Sequence, residues 1–298
     1  QEGSAAPLAG ASQPYVITVE AVADAPVLST SAASGNEDAA IALSISASLV
    51  DGDGSESLSI RISGVPSGAT LSAGTANADG TWTLAPAQLA GLTITPPTGS
   101  DADFTLTVTA TSTEGIGGST ASTTTTLPVT VAAVADAPNL SASAASGNED
   151  GAIALSISSS LVDADGSETL SIRISGVPSG ATLSAGTANA DGTWTLAPAQ
   201  LAGLSITPPA NSDADFTLVV TATSTEGVGG STASTTATLP VSVAGVVDAP
   251  NLATSPASGN EDTAIALSIS SSLVDADGSE TLSIRISGVP TGASLSAG

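Results

Sequence analysis

The sequence predicts an all-β fold built from tandem sandwich repeats, and three observations predict it. The first is internal repetition. Asp24, Asp136 and Asp248 occur in one shared phrase, (Ala/Val)-Asp-Ala-Pro, so the text recurs from 24 to 136 and again from 136 to 248. Glu37, Glu149 and Glu261 keep that spacing, as do Arg61, Arg173 and Arg285. The second is period-two alternation of apolar and polar residues, the mark of half-buried strands. The third is the set of turn signals between the alternating runs: Ser34-Gly35-Asn36, Asp51–Gly54, Asp79-Gly80, Pro96-Pro97 and Gly115–Gly118.

The repeat divides the 298 residues into two complete copies, 27–138 and 139–250. A third starts at Asn251 and stops mid-repeat at Gly298, and residues 1–26 read as the tail of a preceding one, because Glu2 precedes Glu114 by the same interval. A chain that begins and ends inside a repeat is expected to be a piece of a longer array.

Within the first full copy the strands follow in order. An initial strand covers Val27–Ala33. Ile41, Leu43 and Ile45 then share one face. Leu58, Ile60 and Ile62 share the next, with Ser59 and Arg61 turned the other way. Trp82 and Leu84 follow, then Leu92 and Ile94, then Phe104, Leu106 and Val108, and last Leu127, Val129 and Val131. Helical spacing is confined to a single turn at Ala87–Ala90. About seven short strands in roughly 110 residues fit an immunoglobulin-like sandwich. Trp82 and Phe104, the large aromatics of the repeat, are expected in a core that is otherwise Ile, Leu, Val and Ala. Such a core is marginal by itself. The connectors at Asp136-Ala137-Pro138 and Asp248-Ala249-Pro250 carry proline, which fixes φ and holds its predecessor extended, so the domains are expected end to end in a rod.

Composition narrows the function. Twenty-eight acids against three arginines, with no lysine or histidine, give a formal net charge of −25. Nucleic acid is a poor partner for such a chain, since phosphate binding needs clustered Lys and Arg. No apolar run is long enough for membrane insertion as a helix. With no cysteine there is neither a disulfide framework nor a thiolate metal site. A secreted domain without disulfides needs another staple, and bound metal is one. Without His, Lys or Cys a serine nucleophile has no conventional base, so the chain is not expected to be an enzyme.

The acids are clustered. In the second copy they fall at Glu149, Asp150, Asp163, Asp165, Glu168, Asp191, Asp213, Asp215, Glu226 and Asp248, all in loops or at strand ends. A merely solvated acidic surface would scatter them along outward strand positions, where this sequence places Ser and Thr. Grouping in Asn-Glu-Asp, Asp-x-Asp-Gly and Asp-x-Asp instead suits a hard cation taking six to eight oxygens, which is calcium. The twelfth-position Glu of an EF-hand is missing. Arg61 and its counterparts read as cross-strand charges or solubility residues.

Chain geometry assigns the acids to poles. From Asp150 to Asp163 the strand spans up to ~40 Å, so the two ends of Gly147–Glu168 serve different sites. Strand parity then predicts one junction of Glu37, Asp38, Asp101, Asp103, Asp136, Asp163, Asp165 and Glu226. It predicts a second of Glu149, Asp150, Asp213, Asp215, Asp248, Asp275 and Asp277. In the same register Asp24, Asp51, Asp53 and Glu114 belong to the junction before the first copy. That many carboxylates repel strongly unless divalent ions sit among them.

The order Asn-Glu-Asp, alternating strand, Asp-x-Asp-Gly, Leu-x-Ile-x-Ile resembles the first half of a cadherin repeat. In that family a Glu near the first strand, an acidic motif before the sixth, linker aspartates and an Asp-x-Asp of the next domain hold calcium jointly. The resemblance assigns these roles to Glu149, Asp213/Asp215, Asp248 and Asp275/Asp277, with Glu226 where cadherins carry an Asp. The linker departs from the pattern, lacking the cadherin Asn and having one Asp rather than several. In wording, GTWTLAPAQLAGLTITPP and SDADFTLTVTATSTEG are more similar to the cadherin-like repeats of large bacterial RTX-type, type I-secreted adhesins. That resemblance implies an extracellular, cell-surface extender stiffened by calcium shared between neighbouring repeats, acting in attachment and biofilm formation. The alternative is lateral self-association in a surface layer, sheath or filament through Ser/Thr-rich faces such as Thr120–Thr126.

Overall fold

Alternating side chains place one face of each run in a shared interior, and the computed structural model shows this for residues 10, 12–163, 165–275 and 277–297. Glu2 lies outside these residues. The chain divides into two compact units, Gln1–Ala132 and Ala133–Gly298.

The first unit carries β1 (Val27–Ser31), β2 (Ala33–Asn36), β3 (Ile41–Ala42), β4 (Ser44–Ser48), β5 (Glu56–Ser63), β6 (Thr70–Leu71), β7 (Thr75–Ala76), β8 (Trp82–Leu84), β9 (Thr93–Thr95), β10 (Phe104–Glu114) and β11 (Thr120–Ala132). One sheet has the order β2-β11-β10-β5-β8-β7; the other face is formed by β1-β4 and β3-β9-β6. The single initial strand expected from the sequence is two, because the chain changes sheet at Ala32. β1 pairs antiparallel with β4, whereas β2 pairs parallel with β11. The run at Ile41–Ile45 is similarly shared between β3 and β4, with the Leu43 N–H donating to the Leu92 carbonyl at 2.9 Å. The short β7–β8 hairpin extends the larger sheet. The expected turn near Ala87 is a 3-10 turn at Pro86–Gln88.

The second unit repeats this set as β12–β22: Asn139–Ser143, Ala145–Asn148, Ile153–Ala154, Ser156–Ser160, Glu168–Ser175, Thr182–Leu183, Thr187–Ala188, Trp194–Leu196, Ser205–Thr207, Phe216–Glu226 and Thr232–Ala244. It also holds β23 (Asn251–Ser255) and β24 (Ser268–Ser272), paired in the register of β12 with β15. No helix among the described residues is long and apolar enough to cross a membrane.

Between the sheets lies an aliphatic core. Ile60, Ile62, Leu106, Val108 and Leu127 are fully buried in the first unit, and Ile172, Ile174, Leu218, Val220 and Leu239 in the second. Burying such a side chain contributes about 1.5–3 kcal/mol. Trp82, Phe104, Trp194 and Phe216 pack against this core but stay partly exposed, so the aromatics flank it.

Glycine is needed for a close approach to backbone after β5, at Gly64, and at the matching position after β16. Gly176 follows β16 with φ +78°, and a Cβ there would stand 2.4 Å from the Thr217 carbonyl oxygen. Gly192 has nearly the same φ, +79°, with nothing within 4 Å. Gly176→Ala is therefore expected to lower the thermal midpoint well beyond Gly192→Ala, which meets only the backbone cost of a left-handed residue. Equal drops in a melting experiment would show that the close approach carries no weight.

Candidate metal centre

The acids sit at strand ends because the adjoining strands terminate there. In the second unit β13 runs parallel beside the end of β22, and the Glu149 N–H continues that ladder to the Ala244 carbonyl at 3.0 Å. Asp150 then adopts a left-handed backbone, φ +55°, which Asp tolerates better than most residues, and the chain turns back. The Glu149 side chain is left pointing inward, 3% exposed. Its Oε1 accepts the Val246 N–H at 2.6 Å, while its buried Oε2 has no hydrogen-bond partner.

Two other segments converge on Glu149. The loop before β21 supplies Asp213: a Cβ built on Gly245 would lie 3.6 Å from both Asp213 Oδ2 and Glu149 Oε1, so the two carboxylates face the same glycine. The loop after β24 supplies Asp275 and Asp277. This loop is shaped by its own carboxylates, with the Asp277 N–H donating to Asp275 Oδ1 at 2.9 Å and the Ser279 N–H to Asp277 Oδ1 at 2.8 Å. Carboxylate oxygens of Glu149, Asp275 and Asp277 all lie within 4.8 Å of one another. The Asn211 amide donates to the Val274 carbonyl at 3.1 Å, holding the two loops together.

The electrostatics record the crowding. The Val246 N–H pulls the Glu149 carboxyl down, but burial and the charges of Asp275, Asp150 and Asp277 outweigh it and leave it raised. Asp213 is raised by the Asp277 charge first, then by burial. Asp277 is held low by the Ser279 hydroxyl and N–H. Arginine does not relieve this cluster in the complete repeats: Arg61 pairs with Asp79 and Arg173 with Asp191, on half-exposed strand faces. That answers the sequence question about these arginines in favour of a cross-strand charge.

Other expected ligands fasten loops. Asp150 Oδ1 accepts the Asn211 N–H at 3.0 Å, and Asp215 Oδ1 the Val243 N–H at 2.8 Å. In the first unit Asp38 and Asp103 do the same for Gly99 and Val131, at 3.1 and 2.8 Å, and the Glu37 N–H donates to Ala132. Asp101 lies in the loop that carries Asp103. The residues expected at the earlier junction are divided between the units: Glu37, Asp38, Asp101 and Asp103 belong to the first, Asp136, Asp163, Asp165 and Glu226 to the second. Asp51 and Asp53, and likewise Asp163 and Asp165, form the same self-bonded turn as Asp275 and Asp277.

A set outside the expected ligands grips the linker. Glu56, Glu168 and Glu280 accept through Oε1 the backbone N–H of Asp24, Asp136 and Asp248, at 2.8, 2.7 and 2.6 Å. Ser112 and Ser224 donate to the carbonyls of Asp24 and Asp136. The linker aspartates are thus held by their backbones. The signal was present in the alternation: Glu56 is in phase with the inward Leu58, Ile60 and Ile62, where a surface acid has no place.

No family model matches the chain, and no curated protein does. Among solved structures it is similar to the first three extracellular domains of Drosophila N-cadherin, at 16% identity over 75% of this chain and 68% of that one, TM-score 0.25. It is similar to the Escherichia coli adhesin FdeC at 19% identity, over 85% and 76%, TM-score 0.24. The Yersinia pseudotuberculosis adhesin InvE follows at 13%, over 71% and 58%, TM-score 0.24. The strand pairing itself defines the class: tandem β-sandwiches of immunoglobulin and cadherin type. Their described poles carry buried carboxylates.

The donor set suits calcium. It is all oxygen, it is strongly anionic, and Glu149 Oε2 is buried without a partner, a costly arrangement unless a cation completes it. Glu149, Asp213, Asp275 and Asp277 would hold the ion, which would supply charge neutralisation and a tie between the loops.

Proposed function

We propose that the chain is a calcium-stiffened extender segment of a bacterial cell-surface adhesin, its ions bound where one repeat meets the next. The observation that carries this reading is the meeting of Glu149, from one repeat, with Asp275 and Asp277 of the next, around a buried unpaired oxygen. Joining loops of successive repeats through an ion restricts the connector at Asp248 and favours an extended array that projects a distal binding domain. Calcium-poor cytosol would leave the repeats loose for type I export, and external calcium would fold and stiffen them. A structural role without catalysis accords with a chain that has no His, Lys or Cys.

Calorimetric titration tests it. The chain is expected to bind calcium in the ~10⁻⁴–10⁻³ M range of extracellular modules. Asp275→Asn should remove part of that binding, and Asp191→Asn, at the Arg173 pair, should leave it intact. Absence of heat at millimolar calcium would sink the proposal. Lateral self-association is less well supported, because the Thr126 carbonyl on the exposed edge of β11 already accepts the Thr30 hydroxyl at 2.8 Å.

A further inference from the structure

The glutamates that grip the linker have a second oxygen with nothing to bind. Glu56 and Glu114 are directly opposite residues on β5 and β10, so their side chains share the inward face at one end of the sandwich. They are 9% and 4% exposed. Each uses Oε1, Glu56 for the Asp24 N–H at 2.8 Å and Glu114 for the Ser55 hydroxyl at 3.3 Å, and each has a buried Oε2 without a hydrogen-bond partner. The second unit repeats the arrangement. Glu168 opposes Glu226, Glu168 Oε2 is buried and without a partner, and oxygens of Asp163 and Glu226 lie within 4.8 Å of each other. Two adjacent buried carboxylates without a compensating cation are strongly unfavourable, since each lacks solvent and repels the other.

We infer that Glu56 and Glu168 are cation ligands that join ion binding to the linker: Oε2 binds a divalent, oxygen-seeking cation together with the facing Glu114 or Glu226, while Oε1 holds the backbone N–H of the linker aspartate. The ion fixes the carboxylate plane, and the carboxylate plane fixes the linker. Without the ion, Glu56 and Glu168 hold the linker through Oε1 while Oε2 stays buried with no hydrogen-bond partner. This rests on the calcium reading above but adds residues to it and gives them a distinct role.

The test uses the full chain, calcium as the probe, and Glu168→Gln, which keeps an Oε1 acceptor for Asp136 but loses the charge. In chelator the variant should melt above the unaltered chain, because a repelling charge is gone. In calcium it should melt below it, with the calorimetric stoichiometry reduced by one. Ser224→Ala, which loosens the Asp136 carbonyl and removes no carboxylate, should keep the full stoichiometry. Glu56→Gln repeats the measurement in the other unit. A shift of the same sign in both media, as from a shared proton or a simple packing role, overturns the inference, as does unchanged stoichiometry. Failure of both Gln variants to fold in either medium also overturns it, because the linker acceptor is retained. Loss of binding in Asp275→Asn with none in Glu168→Gln would leave the proposed function standing and remove only this inference.

Discussion

Free calcium at about 1 mM is expected to raise the thermal midpoint of the second unit by about 10 °C over its value in chelator. A site with Kd near 10⁻⁴ M contributes roughly 1.4 kcal/mol at that concentration, so two ions add about 3 kcal/mol. For a unit of this size each kcal/mol shifts the midpoint by about 2–4 °C. Differential scanning calorimetry in calcium and in chelator measures it, and coincident midpoints would refute it. The pH dependence should also change sign. Glu149 and Asp213 are raised in the folded state, so their contribution is present below the ordinary carboxylate values and is lost as pH rises through the raised ones. Asp277 is lowered and acts oppositely, its contribution being lost only as pH falls below its ordinary 3.8. Mild acidification from neutrality should thus stabilise the chelated chain. In calcium it should destabilise it, because protons then compete with the ion.

Ile172→Ala is expected to cost about 2–5 kcal/mol, a large share of the roughly 5–15 kcal/mol that holds a typical domain folded. Ile172 is fully buried on β16, between β21, which supplies Leu218, and β19, which supplies Leu196. Trp194 only flanks that core, so Trp194→Ala should cost less than Ile172→Ala despite the larger side chain removed. Urea unfolding of the two variants decides the ranking. A costlier Trp194→Ala would mean that the aromatic, and not the aliphatic layer, anchors the sandwich.

The alternation of Ile41, Leu43 and Ile45, or Leu58, Ile60 and Ile62, was enough to identify inward faces, because burial acts on each strand locally. The change of sheet at Ala32 was not legible, since a strand keeps its alternation while it changes partner. For the site, Glu149, Asp213, Asp275 and Asp277, which strand parity assigns to one junction, lie close together within the second unit. A structural part of Asp150 was not legible beside its charge: it takes a left-handed backbone and its Oδ1 accepts the Asn211 N–H. The inward position of Glu168 was legible in the alternation, but its grip on the linker was not. Its partner is a backbone N–H, which leaves no trace in residue identity.

The parallel pairing of β2 with β11 has a mechanical consequence for a chain under tension. Force enters a repeat at its first strands and leaves at the end of β11, so it pulls these two neighbours in opposite directions along their length. The rungs from Ala33↔Val129 to Asn36↔Ala132 are then loaded in shear, all at once, and do not unzip one after another. The same geometry recurs where β13 meets β22, so every complete repeat carries its own latch against stretching.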